Sequence, residues 1–273
     1  MIDNEQIIQA DRENWFRRAF DDQYADLYAH RNLIEAARAV RLLHRALELA
    51  PEMSVLDLCC GPGRHLHFLG RGVKRAVGLD LSPTLLRRAA LHWRADDDDS
   101  ESGAGPSPSR RRALLVRADM RRLPLADGSF DRVINLFTSY GYFLNEADNQ
   151  HVLEEIARVL RGGGKLALDH MNRDALLAGL VPASERLLPG MRRLVERRRW
   201  NAQTQRVVKD IELHEPGGGV RSWHESVRVY KPDELESMLR EAGLEPFGRF
   251  GDYDGSAWTP ESPRLMIIAA KRP

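Results

Sequence analysis

Two spacings of hydrophobic residues alternate along the chain, and together they predict helices and strands in turn. Residues 32–49 place apolar side chains at the three- and four-residue intervals of one helical face. Short, nearly continuous apolar runs, which are typical of strands buried on both faces, separate such segments. Helices are predicted over 32–49, 64–72, 83–95, 145–164 and 232–243, and strands over 54–60, 75–82, 113–120, 130–137, 165–170, 244–250 and 262–273.

This alternation predicts an α/β fold with a mainly parallel sheet, because parallel strands need crossover connections that helices supply. Pro51 is expected to end the first helix, and Gly162 is expected to end the helix over 145–164. We expect one domain over residues 1–273.

Three segments depart from the alternation. Residues 173–230 are expected to form an antiparallel β lobe inserted after strand five. Residues 96–112 are polar and without periodicity, which predicts a disordered surface insertion, and residues 1–31 are expected to form an N-terminal cap. The predicted strands of the lobe are 191–200, 205–215 and 220–230, with a turn at 215–219.

Charge and cysteine content narrow the class of protein. Lysine plus arginine number 41 and aspartate plus glutamate 40, so the net charge of +1 argues against a nucleic-acid partner. The only two cysteines, Cys59 and Cys60, are adjacent, which favours neither a disulfide nor a zinc site. There is no signal-peptide pattern and no run of roughly 18 apolar residues, so we expect a cytoplasmic protein without a membrane partner.

A glycine-rich turn after the first strand, VLDLCCGPGRH (55–65), carries the strongest chemical signal. Its glycines let a ligand approach the backbone closely. Leu66 stands where a dinucleotide fingerprint requires its third glycine, so that fingerprint fails. Asp57, just before the glycines, would repel a pyrophosphate and suits a ligand with an ammonium and a sulfonium.

Three motifs resemble those of the class I S-adenosylmethionine-dependent methyltransferases: the glycine turn, the acid in VGLDLS, and the acid in RADMRRLPLADGSFD. The resemblance covers roughly 30–170 and resumes at 231–273. It implies a Rossmann-like, doubly wound, seven-stranded sheet and S-adenosylmethionine as the cofactor. The family usually has glycine where this chain has Cys59, so the chain departs from the pattern there.

The resemblance also assigns residues to parts of the cofactor. Asp80 would accept the ribose hydroxyls, and Asp119 the adenine amino group. The alternatives are that Asp80 only initiates a helix, that Asp119 lies in a polar loop, and that Asp57 caps the turn. The remaining assignments place Asp57, Cys59, Gly61 and Gly63 at the methionyl part, Leu81 beside Asp80, Met120 on the adenine ring, and Asn135 where a backbone carbonyl meets the ammonium.

The acceptor is expected at the ends of strands four and five, where ligands of open α/β sheets bind. Candidates there are Thr138, Ser139, Tyr140, Tyr142, His170 and Asn172. Tyr140 or His170 would remove an acceptor proton, with packing as the alternative for each. In the N-terminal segment, Tyr24, Tyr28 and Arg31 would close the site, with Arg31 or Tyr24 near the methionyl carboxylate. The alternative is an amphipathic helix on the core.

These features predict an enzyme that transfers a methyl group to a small-molecule acceptor by in-line displacement. A nucleic-acid or protein methyltransferase is one alternative, although NLFT stands where amino-group nucleic-acid enzymes carry an NPPY-type tetrad. A non-catalytic cofactor-binding protein is another. His214 and His224 show no metal-ligand spacing, so no metal is expected. The sequence leaves a homodimer open.

Overall fold

The chain, as a computed structural model, is described over residues 14–21, 24, 27, 33–98 and 113–273, without the side chains of 92–98. The helices are α1 (Phe16–Ala19), α2 (Leu33–Ala46), α3 (Arg64–Gly72), α4 (Pro83–Asp98), α5 (Glu146–Val159), α6 (Arg173–Ala178) and α7 (Pro232–Glu241). The strands are β1 (Ser54–Leu58), β2 (Arg75–Asp80), β3 (Leu114–Arg117), β4 (Phe130–Asn135), β5 (Leu160–Met171), β6 (Ala183–Leu188), β7 (Arg192–Asn201), β8 (Arg206–His214), β9 (Val220–Arg228), β10 (Leu244–Phe250) and β11 (Arg264–Lys271). Within these ranges, every helix is too short or too polar to cross a bilayer.

Seven strands form the main sheet in the order β10-β11-β5-β4-β1-β2-β3. The five neighbouring strands β5, β4, β1, β2 and β3 pair in parallel. β11 runs antiparallel to both β5 and β10. The order reverses between β1 and β4, which is where ligands bind in sheets of this kind. The predicted α/β fold, a doubly wound and mainly parallel seven-stranded sheet with an inserted antiparallel lobe, is confirmed.

Each face of the sheet has its own apolar core. Leu56 and Leu58 of β1 enter one cluster, whereas Val55 enters the other. Val133 and Ile134 of β4 divide in the same way. Because successive side chains point to opposite faces and helices cover both, a buried strand must be apolar at nearly every position. This burial explains the continuous apolar runs in the sequence.

Gly162 does not end a helix, so that prediction is wrong. α5 stops at Val159, and Leu160 already has an extended backbone, with ψ of 136°. Leu160 pairs with Phe130 of β4, and the register shifts before the pairing resumes along β5. The glycines therefore form an irregularity within the strand, because pairing with β4 draws the chain out of the helix earlier than the apolar stripe indicates.

Two other element ends differ from the predicted ones. α2 ends at Ala46, well before Pro51, which was expected to end it. α4 continues to Asp98 and so includes the first residues of the predicted insertion over 96–112. The rest of that insertion lies outside the described residues. The spacing of apolar residues does not predict helix ends to the residue, because the chain already leaves the core there.

The inserted lobe is a four-stranded antiparallel sheet in the order β6-β7-β8-β9, rather than the three strands predicted. β6, an edge strand of sequence ASERLL, was missed because its side chains are mostly exposed and show no apolar alternation. The predicted turn at 215–219 is present: the N–H of Gly218 donates to the carbonyl of Glu215.

A buried arginine fastens the lobe to the main body. Arg206 of β8 is 4% exposed, and its guanidinium donates to the carbonyls of Gly141, Tyr142 and Phe143 at 3.1, 2.8 and 2.9 Å. It also donates to the carbonyl and hydroxyl oxygens of Ser226 at 2.7 and 2.8 Å. Burial lowers the pKa of Arg206 to about 10. Through this side chain the lobe holds the loop after β4 in place.

Gly141 lies at this junction, close to the backbone of β9. Its φ is 92°, and a Cβ there would lie 2.6 Å from the carbonyl oxygen of Arg228. We predict that Gly141→Ala lowers the free energy of unfolding by about 2–4 kcal/mol, because it combines left-handed strain with a backbone clash. Urea unfolding measures this, with Gly217→Ala as the control, since a Cβ at Gly217 meets nothing within 4 Å. Equal stability of the two variants would contradict the prediction.

Candidate active site

The ends of β1, β2 and β3 and the loop after β4 surround a cavity that encloses about 840 Å³, including its open mouth. The cavity therefore lies at the reversal of strand order, where ligands bind in open α/β sheets. The predicted site residues that line it are Tyr24, Asp57, Cys59, Gly61, Asp80, Leu81, Asp119, Met120, Ser139 and Tyr142.

The turn after β1 depends on left-handed backbone conformations. Cys59, Gly61 and Gly63 have φ of 62°, 55° and 78°. Glycine adopts such values without steric cost, whereas cysteine does not. A Cβ on Gly63 would lie 2.9 Å from the Cβ of Ala89, so this glycine lets α3 approach α4 and does not itself line the cavity. The backbone thus explains why glycine is the expected residue at the position of Cys59.

Asp57 is a buried carboxyl group with one unpaired oxygen. It is 1% exposed, and its Oδ2 finds no hydrogen-bond donor in the described part of the chain. Burial, followed by the negative charge of Asp80, raises the pKa of Asp57 to about 8, while Arg64 acts in the opposite direction. A cation placed in the cavity would favour the ionised form.

Asp80 is held in a fixed orientation by the backbone. Its Oδ2 accepts the N–H of Gly61 at 2.9 Å, and its Oδ1 accepts the N–H of Ser82 at 2.8 Å. Burial raises the pKa of Asp80, although these hydrogen bonds oppose the rise. Each oxygen keeps lone-pair capacity for one more donor. Asp80 therefore joins the glycine turn to the end of β2 and still presents acceptors to the cavity.

Asp119 forms a paired group with Arg121. Oδ1 accepts the backbone N–H and the Nε of Arg121 at 3.0 and 3.1 Å, and Oδ2 accepts Nη2 at 2.8 Å. Arg17 of α1 lies 3.6 Å from Oδ2. Burial alone would raise the pKa of Asp119, but the bonds to Arg121 outweigh it and lower that pKa. Asp119 is therefore ionised and oriented at the cavity wall.

The two thiols are held in their protonated form. Burial, and then the charges of the nearby aspartates, raise the pKa of both Cys59 and Cys60 well above the usual range. The Sγ of Cys59 contacts the Sδ of Met120 at 3.6 Å. A reactive cysteine needs a lowered pKa, so these residues pack rather than attack.

Aromatic residues of the N-terminal segment cover the cavity. Phe16, Phe20 and Tyr24 belong to its lining. The carbonyl of Phe20 accepts the hydroxyl of Ser82 at 2.6 Å, and the ring of Trp15 lies 4.9 Å from that of Tyr142. These contacts connect the N-terminal segment to Ser82 after β2 and to Tyr142 after β4. Tyr28 and Arg31, which were also assigned to this closure, lie outside the described residues.

Asn135 does not reach the cavity. Its Nδ2 donates to the carbonyl of Leu58 at 3.0 Å, and its side chain is 1% exposed. Its neighbour Leu136 lines the cavity instead. The end of β4 is thus at the site, but the side chain of Asn135 serves to tie β4 to β1.

Tyr140 and His170, the predicted proton acceptors, are not among the residues that line the cavity. Each is 1% exposed, and the hydroxyl of Tyr140 donates to the carbonyl of Asn149 at 3.0 Å. Burial lowers the pKa of His170 to about 3, and His170 pairs with Leu265 of β11 inside the sheet. Their burial is a correction to the sequence analysis: both belong to the core behind the site.

Of the other acceptor candidates, the structure brings Ser139 and Tyr142 to the cavity but not Asn172. The Nδ2 of Asn172 donates to the carbonyls of Thr259, Pro260 and Ser262 at 3.0, 3.0 and 2.7 Å. Asn172 therefore anchors the loop before β11. Thr138 is also absent from the lining.

Two residues to which the sequence assigned no role, Arg64 and His65, also line the cavity. The guanidinium of Arg64 lies 5.0 Å from the ring centre of Phe137, and the ring of His65 stacks on the same phenylalanine at 5.3 Å. Burial lowers the pKa of His65 to about 3, so its imidazole is neutral. Their position directly after the glycine turn could have indicated that they line the cavity.

The described residues contain no group of three or more His, Cys, Asp or Glu side chains that could hold a metal ion. The site within these ranges is therefore built from backbone turns, carboxylates and aromatic rings.

Comparison with known sequences adds a family to this geometry. A family profile described as "Methyltransferase domain" matches residues 55–164. The chain is 30% identical over 257 residues to 27-O-demethylrifamycin SV methyltransferase of Amycolatopsis mediterranei (strain S699), across 93% of this chain and 75% of that protein. It spans less of two other curated relatives, 51% and 62% of their lengths.

Solved structures share the fold. The CcbJ methyltransferase from Streptomyces caelestis superposes with a TM-score of 0.74 at 20% identity, over 94% of this chain and 99% of that one. An S-adenosylmethionine-dependent methyltransferase from Clostridium acetobutylicum ATCC 824 gives 0.75 at 16% identity, over 92% and 99%. At such identities the similarity is one of fold.

The raised pKa of Asp57 makes stability depend on pH. Between about pH 5 and pH 8, the folded chain keeps a proton on this carboxyl that the unfolded chain has lost. The free energy of unfolding should therefore fall as pH rises, by up to about 1.4 kcal/mol per pH unit, and level off above the folded pKa. Asp57→Asn removes the titrating group and should flatten this slope in urea unfolding. Identical slopes for both proteins would show that Asp57 titrates normally.

Proposed function

The chain belongs to the class I S-adenosylmethionine-dependent methyltransferases, and from this premise we propose that it methylates a small-molecule acceptor by in-line displacement. It is an enzyme that uses S-adenosylmethionine as its cofactor. The observation that carries the proposal is the buried carboxyl group of Asp57 at the wall of this cavity, whose Oδ2 has no hydrogen-bond donor within the described residues.

The residues present fit this cofactor. The carboxyl group of Asp57 has an unpaired oxygen and a raised pKa, so a positive charge placed beside it would stabilise its ionised form. The cofactor carries two positive groups, an ammonium and a sulfonium. A phosphate-bearing cofactor would add negative charge beside Asp57 and Asp80. The electrostatics of the cavity thus favour a cationic ligand.

Four side chains would hold the remaining parts. Asp80, fixed by two backbone amides, would accept the ribose hydroxyls with its free lone pairs. Asp119 keeps capacity on Oδ2 for the adenine amino group, and Met120 offers a polarisable surface to the ring. Arg64 supplies a cation of the cavity wall for the methionyl carboxylate.

The cofactor, when bound, supplies a methyl group on a positively charged sulfur that is already a good leaving group. The protein's contribution is then alignment and exclusion of water. Phe16 and Phe20 close the cavity with apolar rings, and the bond between Ser82 and Phe20 keeps them in place. The burial of Tyr140 and His170 fits a reaction in which neither residue acts as a base.

A small acceptor is supported by the lining of the cavity and by a relative. The aromatic side chains of Phe16, Phe20, Tyr142 and Phe143 line the cavity, which suits a small molecule with an apolar body. The name of the Amycolatopsis relative specifies 27-O-demethylrifamycin SV, which is a small molecule. A cytoplasmic location stays a prediction, and the oligomeric state stays open.

The cofactor assignment predicts a loss of affinity in Asp80→Ala. Removing a carboxylate that accepts ribose hydroxyls should raise the dissociation constant for S-adenosylmethionine by about 5- to 150-fold, or roughly 1–3 kcal/mol. Isothermal titration calorimetry measures this, with Asp233→Ala, an aspartate of the exposed start of α7, as the control. An unchanged constant would contradict the ribose assignment.

Transfer to a small molecule can be tested without knowing the acceptor. Purified protein is incubated with methyl-tritiated S-adenosylmethionine and a bacterial cell extract, macromolecules are removed by filtration, and labelled products in the filtrate are separated from the labelled cofactor by chromatography. We expect a labelled product distinct from the cofactor in the filtrate, and less of it when Asp80→Ala replaces the wild type at a limiting cofactor concentration. Label confined to the retained nucleic acid or protein would contradict the proposal.

A further inference from the structure

Two consecutive residues after β4, Phe137 and Thr138, adopt a left-handed backbone conformation, with φ of 57° and 56°. Such values are sterically unfavourable for residues that carry a Cβ, and they persist only where the surrounding structure holds them. The turn lies at the active site, since Phe137 and Ser139 line the cavity. The contacts that hold this turn therefore also shape the cavity wall.

One residue of β5, Asp169, holds both left-handed residues. Its Oδ2 accepts the backbone N–H of Phe137 at 2.9 Å, and its backbone carbonyl accepts the N–H of Thr138 at 3.1 Å. Asp169 is fully buried and does not itself line the cavity. The far end of the same loop is held separately, where Arg206 donates to the carbonyl of Tyr142. Asp169 therefore supports the loop at the point where it leaves β4.

The carboxyl group of Asp169 is itself held in place. The hydroxyl of Tyr253 donates to Oδ2 at 2.7 Å, and the Nη1 of Arg264 donates to the same oxygen at 3.2 Å. Arg264 also pairs with Glu35 at 2.9 Å, so its charge has a second partner. Together with the amide of Phe137, three donors converge on one buried oxygen. These bonds fix the position of the oxygen to which the turn is bonded.

The ring of Phe137 contacts the residues that follow the glycine turn. The guanidinium of Arg64 lies 5.0 Å from the ring centre, and the ring of His65 stacks on it at 5.3 Å. The guanidinium of Arg264 lies 5.1 Å from the same centre. Because a guanidinium is attracted to an aromatic face, the position of Arg64 depends on where this ring is held.

We propose that Asp169 is a positioning residue for cofactor binding: by holding the turn at Phe137, it keeps the guanidinium of Arg64 in place to bind the methionyl carboxylate. This role, which rests on the proposed pairing of Arg64 with that carboxylate, passes entirely through Phe137. Loss of the bond between Asp169 and Phe137 should weaken binding of the amino-acid part of the cofactor. Binding of the adenosine part, assigned to Asp80 and Asp119, should not change.

Two ligands separate these parts. S-adenosylhomocysteine carries the amino-acid part, whereas 5′-methylthioadenosine keeps the adenosine and the sulfur but lacks the carboxylate and the ammonium. Calorimetry measures the preference of the protein for the first ligand over the second. Asp169→Leu keeps the volume of the side chain and removes the acceptor of the Phe137 N–H. In this variant the preference should fall by about tenfold, through weaker binding of S-adenosylhomocysteine alone.

Asp169→Asn is the conservative variant, because its amide oxygen can take the place of Oδ2 and accept the same donors. It should keep the preference within about threefold of the wild type. Asn172→Ala is the matched control: it also removes a buried polar side chain next to β5, but one whose hydrogen bonds go to the loop before β11. It should lower the melting temperature and leave both affinities unchanged.

Two further variants test the route from Asp169 to the ligand. Arg64→Ala should lower the preference, and the addition of Asp169→Leu should lower it no further, because both changes act on one contact. Phe137→Leu removes the ring without touching Asp169 and should reproduce the loss. Phe137→Leu therefore tests the same role if Asp169→Leu does not fold.

Several results would overturn the role of Asp169. They are a preference that persists in Asp169→Leu or Phe137→Leu, a loss in Asp169→Asn or Asn172→Ala as large as in Asp169→Leu, additive losses in the double variant, and a wild type without the preference. A preference that persists in Arg64→Ala would contradict the pairing of Arg64 with the carboxylate, and this role with it. The acceptor takes no part in these titrations, so transfer to a small molecule is tested only by the labelling experiment.

Discussion

The burial of two neighbouring carboxylates at the ends of β1 and β2 is the constraint on which the site depends. Asp80 is compensated by the backbone, through the amides of Gly61 and Ser82, whereas Asp57 has no such support on Oδ2. The same bond between Asp80 and Gly61 shapes the glycine turn. A cationic ligand therefore completes a charge balance that the chain alone leaves incomplete. Family membership and the local electrostatics point to the same cofactor from independent observations.

Much of this site could be predicted from the sequence, because an acid that directly follows a buried strand must lie at the sheet edge. Asp57, Asp80 and Asp119 all line the cavity as that rule requires. The rule fails where the chain changes direction. Phe137 and Thr138 both adopt positive φ, and after this turn Tyr142 lines the cavity while Tyr140 is buried in the core. No pattern in the local sequence predicts two consecutive residues with left-handed backbone conformation.

His170 was misplaced for a different reason, since its environment depends on residues about a hundred positions away. β11 pairs with β5 up to the last residue of β5 and brings Leu265 opposite His170, and the ring of Tyr230 lies 5.6 Å from that of His170. The lobe shows the same limit. Its charged strands indicate an exposed surface, yet Arg206 is turned inward by the fold, where it holds the loop of Tyr142. Long-range pairing decides which polar residues become functional.

The most direct test of the central claim is proton release when S-adenosylmethionine binds. Calorimetry in buffers of different ionisation enthalpy measures the number of protons exchanged. At about pH 7 the free protein holds a proton on Asp57, whose pKa is raised to about 8, and a bound cation would displace it. The account predicts release approaching one proton in the wild type and none in Asp57→Asn. Equal proton exchange in the two proteins would contradict it.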